Sequence, residues 1–252
     1  MEAVSRRALT IGISAVILCS TLVAQETGRG TVSLNSLIDA LEKTQTAIHP
    51  QVSYQVIREY RLVGANPLNS DSANSDVVAE VNFSPPGRKD YRIRKSLGSK
   101  RGEQVVRRIL EQEVEAASHG NQAQAALSRD NYNFNYVGEA TLDSQPCYVL
   151  ELSPKRKEIN LVSGKVWIDQ RSFLVRQIEG EVAKTPSWWL KKVRVKLTFA
   201  DLDGVWLQTG MEAVADVRVV GTHTLTSRIL DYRSADEIAL TRTLLRSADR
   251  KP

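Results

Sequence analysis

From about Phe134 to Tyr232 the chain reads as one strand after another, with apolar and polar residues alternating at period two between tight turns. The pattern is plainest at Val193, Val195, Leu197 and Phe199, which point one way while Lys192, Arg194, Lys196 and Thr198 point the other. Strands are expected over 134–139, 147–153, 164–169, 173–183, 191–200, 206–215, 217–226 and 229–233. Turns at Asp143–Pro146, Asp169–Arg171 and Asp201–Gly204 separate some of them.

The first half is less uniform. Leu34, Leu37, Ile38, Leu41 and Ile48 recur at helical spacing from Ser33, and Pro50 bars continuation, so one amphipathic helix is expected there. A long strand follows from Val52 to Val63, its alternation interrupted at Ile57 and Arg58. Residues 64–75 read as a loop, and 76–84 with 91–96 as a hairpin around Pro85-Pro86-Gly87. Between Gly102 and Leu127 the spacing of Val106, Leu110, Val114 and Ala117 is helical, with Arg107 and Glu111 as a solvent-side pair. Gly120 and Asn121 divide that stretch into two helices.

Helices that come early and between strands, rather than alternating with them, predict an α+β fold. About eleven long antiparallel strands do not lie flat; twist curls them into a half-barrel with two or three helices packed on the concave side.

The N-terminus predicts export. Arg6 and Arg7 precede an uncharged apolar run from Ala8 to Val23, which is short for a membrane span and reads as a signal peptide over residues 1–25. Leu18 before Cys19 argues against lipidation, and a general secretory route is favoured over twin-arginine export, so a periplasmic location is expected. A half-barrel domain is then expected over 26–236 and a C-terminal tail over 237–252. Only Cys147 remains after the signal, which excludes an intramolecular disulfide.

Charge adds a second candidate surface. The chain carries +5, and the segment from Arg88 to Arg108 is basic, with Arg88, Lys89, Arg92, Arg94 and Lys95 at its start. Such a patch suits an anionic membrane surface or an acidic envelope protein, and export argues against nucleic acid. Trp188 and Trp189 follow Pro186 among Lys184, Lys191 and Lys192, a composition that suits a membrane-interface or ligand contact.

Catalytic chemistry finds little footing. His49, His119 and His223 are isolated, and no G-x-S-x-G, H-E-x-x-H or glycine-rich phosphate loop occurs. Asp201 and Asp203 begin like a calcium loop, but Gly204 follows at once, and they read as turn formers. No enzyme activity, metal or cofactor is expected.

Three segments resemble a known family. Gly138-Glu-Ala-Thr-Leu-Asp-Ser-Gln-Pro-Cys-Tyr-Val-Leu-Glu-Leu-Ser-Pro154, Gly164-Lys-Val-Trp-Ile-Asp169 and Leu174-Val-Arg-Gln-Ile-Glu179 are similar to the core of the periplasmic lipoprotein-carrier superfamily, which includes the LolA and LolB carriers. The resemblance spans roughly Phe134 to Tyr232. It implies a half-barrel whose helices cover a cavity for acyl chains, with Val166, Ile168, Val193, Val195, Leu197 and Phe199 as candidate walls and Trp188 and Trp189 as further ligand contacts. No position is matched to the arginine by which carriers latch their lid. A hydrophobic-ligand carrier is therefore expected, and the alternative is an envelope sensor or scaffold that uses the same fold to bind a protein.

Overall fold

A computed structural model describes residues 32–48, 51–64, 74–117, 122–219 and 221–240. The expected signal peptide, most of the expected tail, and His49 and His119 lie outside the described residues. Among the described residues three helices, α1 (Leu34–Ala47), α2 (Lys100–Ala117) and α3 (Gln122–Ala125), accompany ten strands. These are β1 (Tyr54–Gly64), β2 (Ser75–Ser84), β3 (Arg88–Gly98), β4 (Tyr132–Leu142), β5 (Gln145–Pro154), β6 (Val162–Asp169), β7 (Val175–Val182), β8 (Leu190–Leu202), β9 (Val205–Val217) and β10 (Gly221–Ser234). A helical turn follows β10 over 235–240.

All ten strands form one open antiparallel sheet in the order β3-β2-β1-β10-β9-β8-β7-β6-β5-β4, so the α+β class stands. The strand count falls from eleven to ten because the stretches 217–226 and 229–233 are one strand. No break occurs at Ser227–Arg228, which pair regularly with Tyr60 and Glu59; a bulge lies two residues further on, where Arg58 pairs with Ile229 but Ile57 pairs with Asp231. Leu230 is the extra residue, and β10 bends there without ending.

The turns form for local reasons. Asp143 and Ser144 both take positive φ, 47° and 64°, which matches the twist of a two-residue hairpin between β4 and β5. Asp203 and Gly204, at φ 52° and 82°, do the same between β8 and β9, with Asp201 Oδ1 accepting from Gly204 N at 2.8 Å.

Cross-strand partners share a face, so the inner face can be followed across the sheet. One row runs Val77, Tyr60, Ser227, Met211, Leu197, Ile178, Val166, Leu150. Both long helices cover this face, at opposite ends. Leu37, Ile38 and Leu41 of α1 pack with Leu150, Leu152, Leu161, Val166 and Ile168, while Val106 and Leu110 of α2 pack with Val56, Tyr60, Val77, Ala79 and Val81. Each buried Leu, Ile or Val among them contributes about 1.5–3 kcal/mol, so the two clusters hold the helices to the sheet.

The ends of α1 are tied by polar contacts. Ser33 caps it, its Oγ accepting from Ser36 N at 3.1 Å. Gln45 clasps the chain before β4 in both directions, donating to Leu127 O at 2.9 Å and accepting from Leu127 N at 3.0 Å. On α2, Arg107 reaches back to Glu103 at 2.6 Å, so the expected partnership with Glu111 is replaced by the one a turn earlier.

Candidate functional site

Between the two helix-covered clusters lies a strip of inner face that belongs to neither. Val193, Val195 and Leu197 of β8 are half-buried and join neither cluster. Their partners across β9 are Ala215, Ala213 and Met211. A second row crosses the sheet here as Leu62, Leu225, Ala213, Val195, Gly180, Gly164, Leu152.

The small residues in the middle of that row make a dip. At Gly164 a Cβ would stand 2.1 Å from Glu179 O, and at Gly180 one would stand 2.2 Å from Ser163 O, so the close approach of β6 and β7 admits no larger residue. With no side chain on either glycine and only a methyl on Ala213, the floor beside Val195 is low. It is apolar, and on its β9 side Ala213 and Met211 pack against the cluster under α2.

The candidate wall residues divide accordingly. Val166 and Ile168 are fully buried under α1, and Val193, Val195 and Leu197 line the uncovered strip. Phe199 leaves the row: a register shift after Thr198 sets it opposite Gln208, and Ala200 takes the place opposite Leu207, which packs in the α2 cluster. Trp188 and Trp189 sit at one end of the sheet, in the loop between β7 and β8, and both are exposed.

The five candidate basic residues do not form one patch. Arg88, Arg92 and Lys95 are exposed along the edge strand β3, where charge discourages pairing with another chain. Arg94 pairs with the buried Glu80. Lys89 turns the other way, to within 3.9 Å of Glu113 beneath α2, and burial presses its ammonium below the usual lysine range, opposed by that carboxylate.

Lys89 thus leads to a polar cluster inside the apolar half. Arg58 is nearly enclosed; its Nη1 donates to Glu113 Oε1 at 2.9 Å and Oε2 at 3.1 Å, and its Nη2 donates to Gln208 O at 3.0 Å. Burial is the largest single influence and works against the Arg58 charge, but Glu113, Tyr60 and Tyr54 together outweigh it and hold the guanidinium above its ordinary value. Tyr54 and Tyr60 flank the pair, and burial, assisted by Glu113, pushes both hydroxyls up to about 12. A hollow of about 100 Å3 adjoins them, lined by Tyr54, Val56, Arg58, Val81, Lys89, Glu113, Leu207 and Gln208. It has room for about three waters and none for an acyl chain. A larger depression, about 550 Å3 along Asp39, Glu42, Lys43, Thr46 and Ala47, is open to solvent and has charged walls, so it is a surface feature of α1.

In sequence Arg58 interrupts the apolar alternation of its strand, which hides its role. Its signal was present: Tyr54, Val56, Arg58 and Tyr60 form one buried row, and Glu113 falls on the stripe of Val106, Leu110 and Ala117. Opposite charges in two apolar stripes are a pairing signal.

Two of the three motif segments, Gly164–Asp169 and Leu174–Glu179, meet at a second ion pair. Asp169 ends β6 and accepts Arg176 Nε from β7 at 2.7 Å, while its other oxygen accepts from Arg171 N, Ser172 N and Ser172 Oγ. Arg176 also lies 5.5 Å above the ring of Trp206. Burial alone would raise the Asp169 carboxyl; the backbone donors and Arg176 overcome it and bring it down to about 2. These are structural contacts of a hairpin. Among the described residues no group of three or more potential ligands is placed to hold a metal ion.

Comparison with known proteins adds the following. A family model described only as an uncharacterized protein matches residues 121–238, the stretch from just before α3 to the helical turn after β10. No curated protein matches the chain. Among solved structures, a domain from Vibrio parahaemolyticus described as an outer membrane lipoprotein-sorting protein is similar, with 15% identity over 79% of this chain and 92% of its own, at a TM-score of 0.39. A LolA superfamily protein from Nitrosomonas europaea is similar at 14% identity, 80% and 93% coverage and a TM-score of 0.37. The MucA/MucB complex of Pseudomonas aeruginosa contains a chain similar at 10% identity, 79% and 97% coverage and a TM-score of 0.25.

Proposed function

We propose that this protein is an exported, non-enzymatic binding protein that receives a hydrophobic ligand, a lipid or the acyl chains of a lipoprotein, on the inner face of its sheet. The observation that carries the reading is the apolar strip of Val193, Val195 and Leu197, which lies beside a low floor of glycine and alanine on the same face and joins neither helix-packed cluster. An acyl chain gains about 0.8 kcal/mol for each methylene removed from water and needs no directional partner, so a dry strip suffices. The resemblance of the strand motifs to lipoprotein carriers supports the same ligand class. No described helix is long and apolar enough to cross a membrane.

Full enclosure of a long chain calls for one helix to shift, and α2 is the candidate lid, because its contact with the sheet includes the Arg58–Glu113 pair. In this reading Arg58 does the work of the latch arginine that the carrier resemblance implies.

The test is saturable binding of a fluorescent fatty acid to the purified protein, with mass spectrometry of an organic extract to identify any lipid that co-purifies. Saturable binding that is lost when Ala213 is replaced by Trp supports the reading. Absence of both binding and co-purified lipid overturns it and favours an envelope sensor or scaffold.

A further inference from the structure

Three loops meet at one end of the sheet, and backbone bonds join them. Ala183 N donates to Leu161 O at 2.8 Å, linking the β7–β8 loop to the β5–β6 loop. Arg218, just after β9, donates its backbone N to Trp189 O at 2.8 Å and its Nε to Trp188 O at 3.0 Å, linking the β9–β10 turn to the tryptophan pair. Trp188 is 85% exposed, Trp189 43% and Val219 fully so. Val219 also holds a φ of 75°, strained for a β-branched residue, and it stands outward at the tip.

Apolar side chains this exposed lose free energy in water and gain none from the fold. Here a small clasp, the two bonds of Arg218, holds two indoles and an isopropyl group outward together. The surrounding charge is mainly positive: from 182 to 192 the chain carries Lys184, Lys191 and Lys192, Arg218 adds a fourth cation, and the acids beside them are Glu181 and Asp216. Lys192 is partly engaged by Glu181 at 2.6 Å, which leaves Lys184, Lys191 and Arg218 to face outward.

We propose that this end of the sheet is a membrane-docking tip, in which Trp188, Trp189 and Val219 enter the headgroup region of an anionic bilayer and Lys184, Lys191 and Arg218 contact its phosphates. Indole rings favour the bilayer interface, where an apolar body and one N–H donor are both satisfied, and nearby cations add attraction to anionic lipid. The charge complementarity selects an anionic bilayer over a neutral one. The tip is separate from the inner-face strip, so docking and ligand uptake are independently testable.

The experiment uses tryptophan quenching, which reads the tip whatever else in the chain touches lipid. Vesicles of brominated phosphatidylglycerol and phosphatidylcholine are mixed with the full chain. The expected result is a strong loss of emission that is absent with wholly phosphatidylcholine vesicles and weakened by salt. Replacing Trp188 and Trp189 by Phe leaves only Trp167 and Trp206, whose emission the same vesicles leave unchanged. K184E with K191E, leaving all four tryptophans, raises the lipid concentration needed for half-quenching by roughly tenfold or more. Unquenched emission from the wild-type chain overturns the proposal, as does equal quenching by neutral vesicles or an unaltered midpoint in the charge-reversal variant.

Discussion

Arg58 on β1 and Glu113 on α2, 55 residues apart in sequence, form a two-bonded ion pair between the sheet and the helix that covers it. Each occupies a place in an otherwise apolar stripe, and neither is left alone by the other's fold. Taking two charges out of water is costly, and the pair repays the cost only while both members and the bond to Gln208 O are in place.

Removing one partner therefore costs far more than removing both. Glu113→Ala is expected to lower stability by about 3 kcal/mol, since it strands a buried guanidinium, whereas Arg58→Met with Glu113→Leu recovers part of that loss, Lys89 then being left without that carboxylate. Urea unfolding of the three proteins tests this. A single variant within about 0.5 kcal/mol of wild type shows that Arg58 reaches solvent on its own.

If α2 is the lid, the same pair sets ligand access. Glu113→Gln removes the charge but keeps the shape, and it is expected to speed fatty-acid probe association several-fold while thermal unfolding shifts down by a few degrees. Ala213→Trp fills the dip beside Val195 and is expected to weaken the probe by about tenfold or more. Stopped-flow fluorescence separates the two effects.

Acid sensitivity traces to Asp169. Its carboxyl sits at about 2 in the fold, below its ordinary 3.8, so its stabilisation is fully present above about pH 4 and is lost as pH falls toward 2. The difference amounts to about 2 kcal/mol. Asp169→Asn is expected to lose that amount at neutral pH and to flatten the stability curve between pH 4 and 2. A curve that keeps its acid slope assigns the effect to other carboxylates.

Gly164 and Gly180 face each other where β6 and β7 draw close. Alanine at either is expected to cost about 2 kcal/mol or more, because the atoms a Cβ would meet are backbone and cannot turn aside. Gly204→Ala meets nothing within 4 Å, so its cost comes from the positive φ alone, about 1 kcal/mol. Thermal melts of the three variants rank the two mechanisms.

Period-two alternation, helical spacing and turn chemistry are properties of neighbours in sequence, and they were enough to give the elements and the α+β class. Leu37, Ile38 and Leu41 were already a stripe, and Asp143-Ser144 was already a turn. Thr226, Ser227 and Arg228 are three polar residues in a row and interrupt the alternation, yet the pairing with β1 carries β10 straight through them. The row through Gly164, Gly180 and Ala213 was hidden for a related reason: those residues lie on three strands, and only register sets them side by side.

The sequence by itself determined most of the strands and helices, the tight turns at Asp143-Ser144 and Asp203-Gly204, and that Trp188 and Trp189 stand in a loop among lysines. Tertiary structure alone decided which apolar residues α1 and α2 cover and which they leave on β8, and it turned Arg58 from an interruption into half of a buried pair. The physical reason is that local pattern is set by steric and hydrogen-bonding preferences within a few residues. Burial and charge pairing depend on partners that the chain brings together only after the sheet has closed its register.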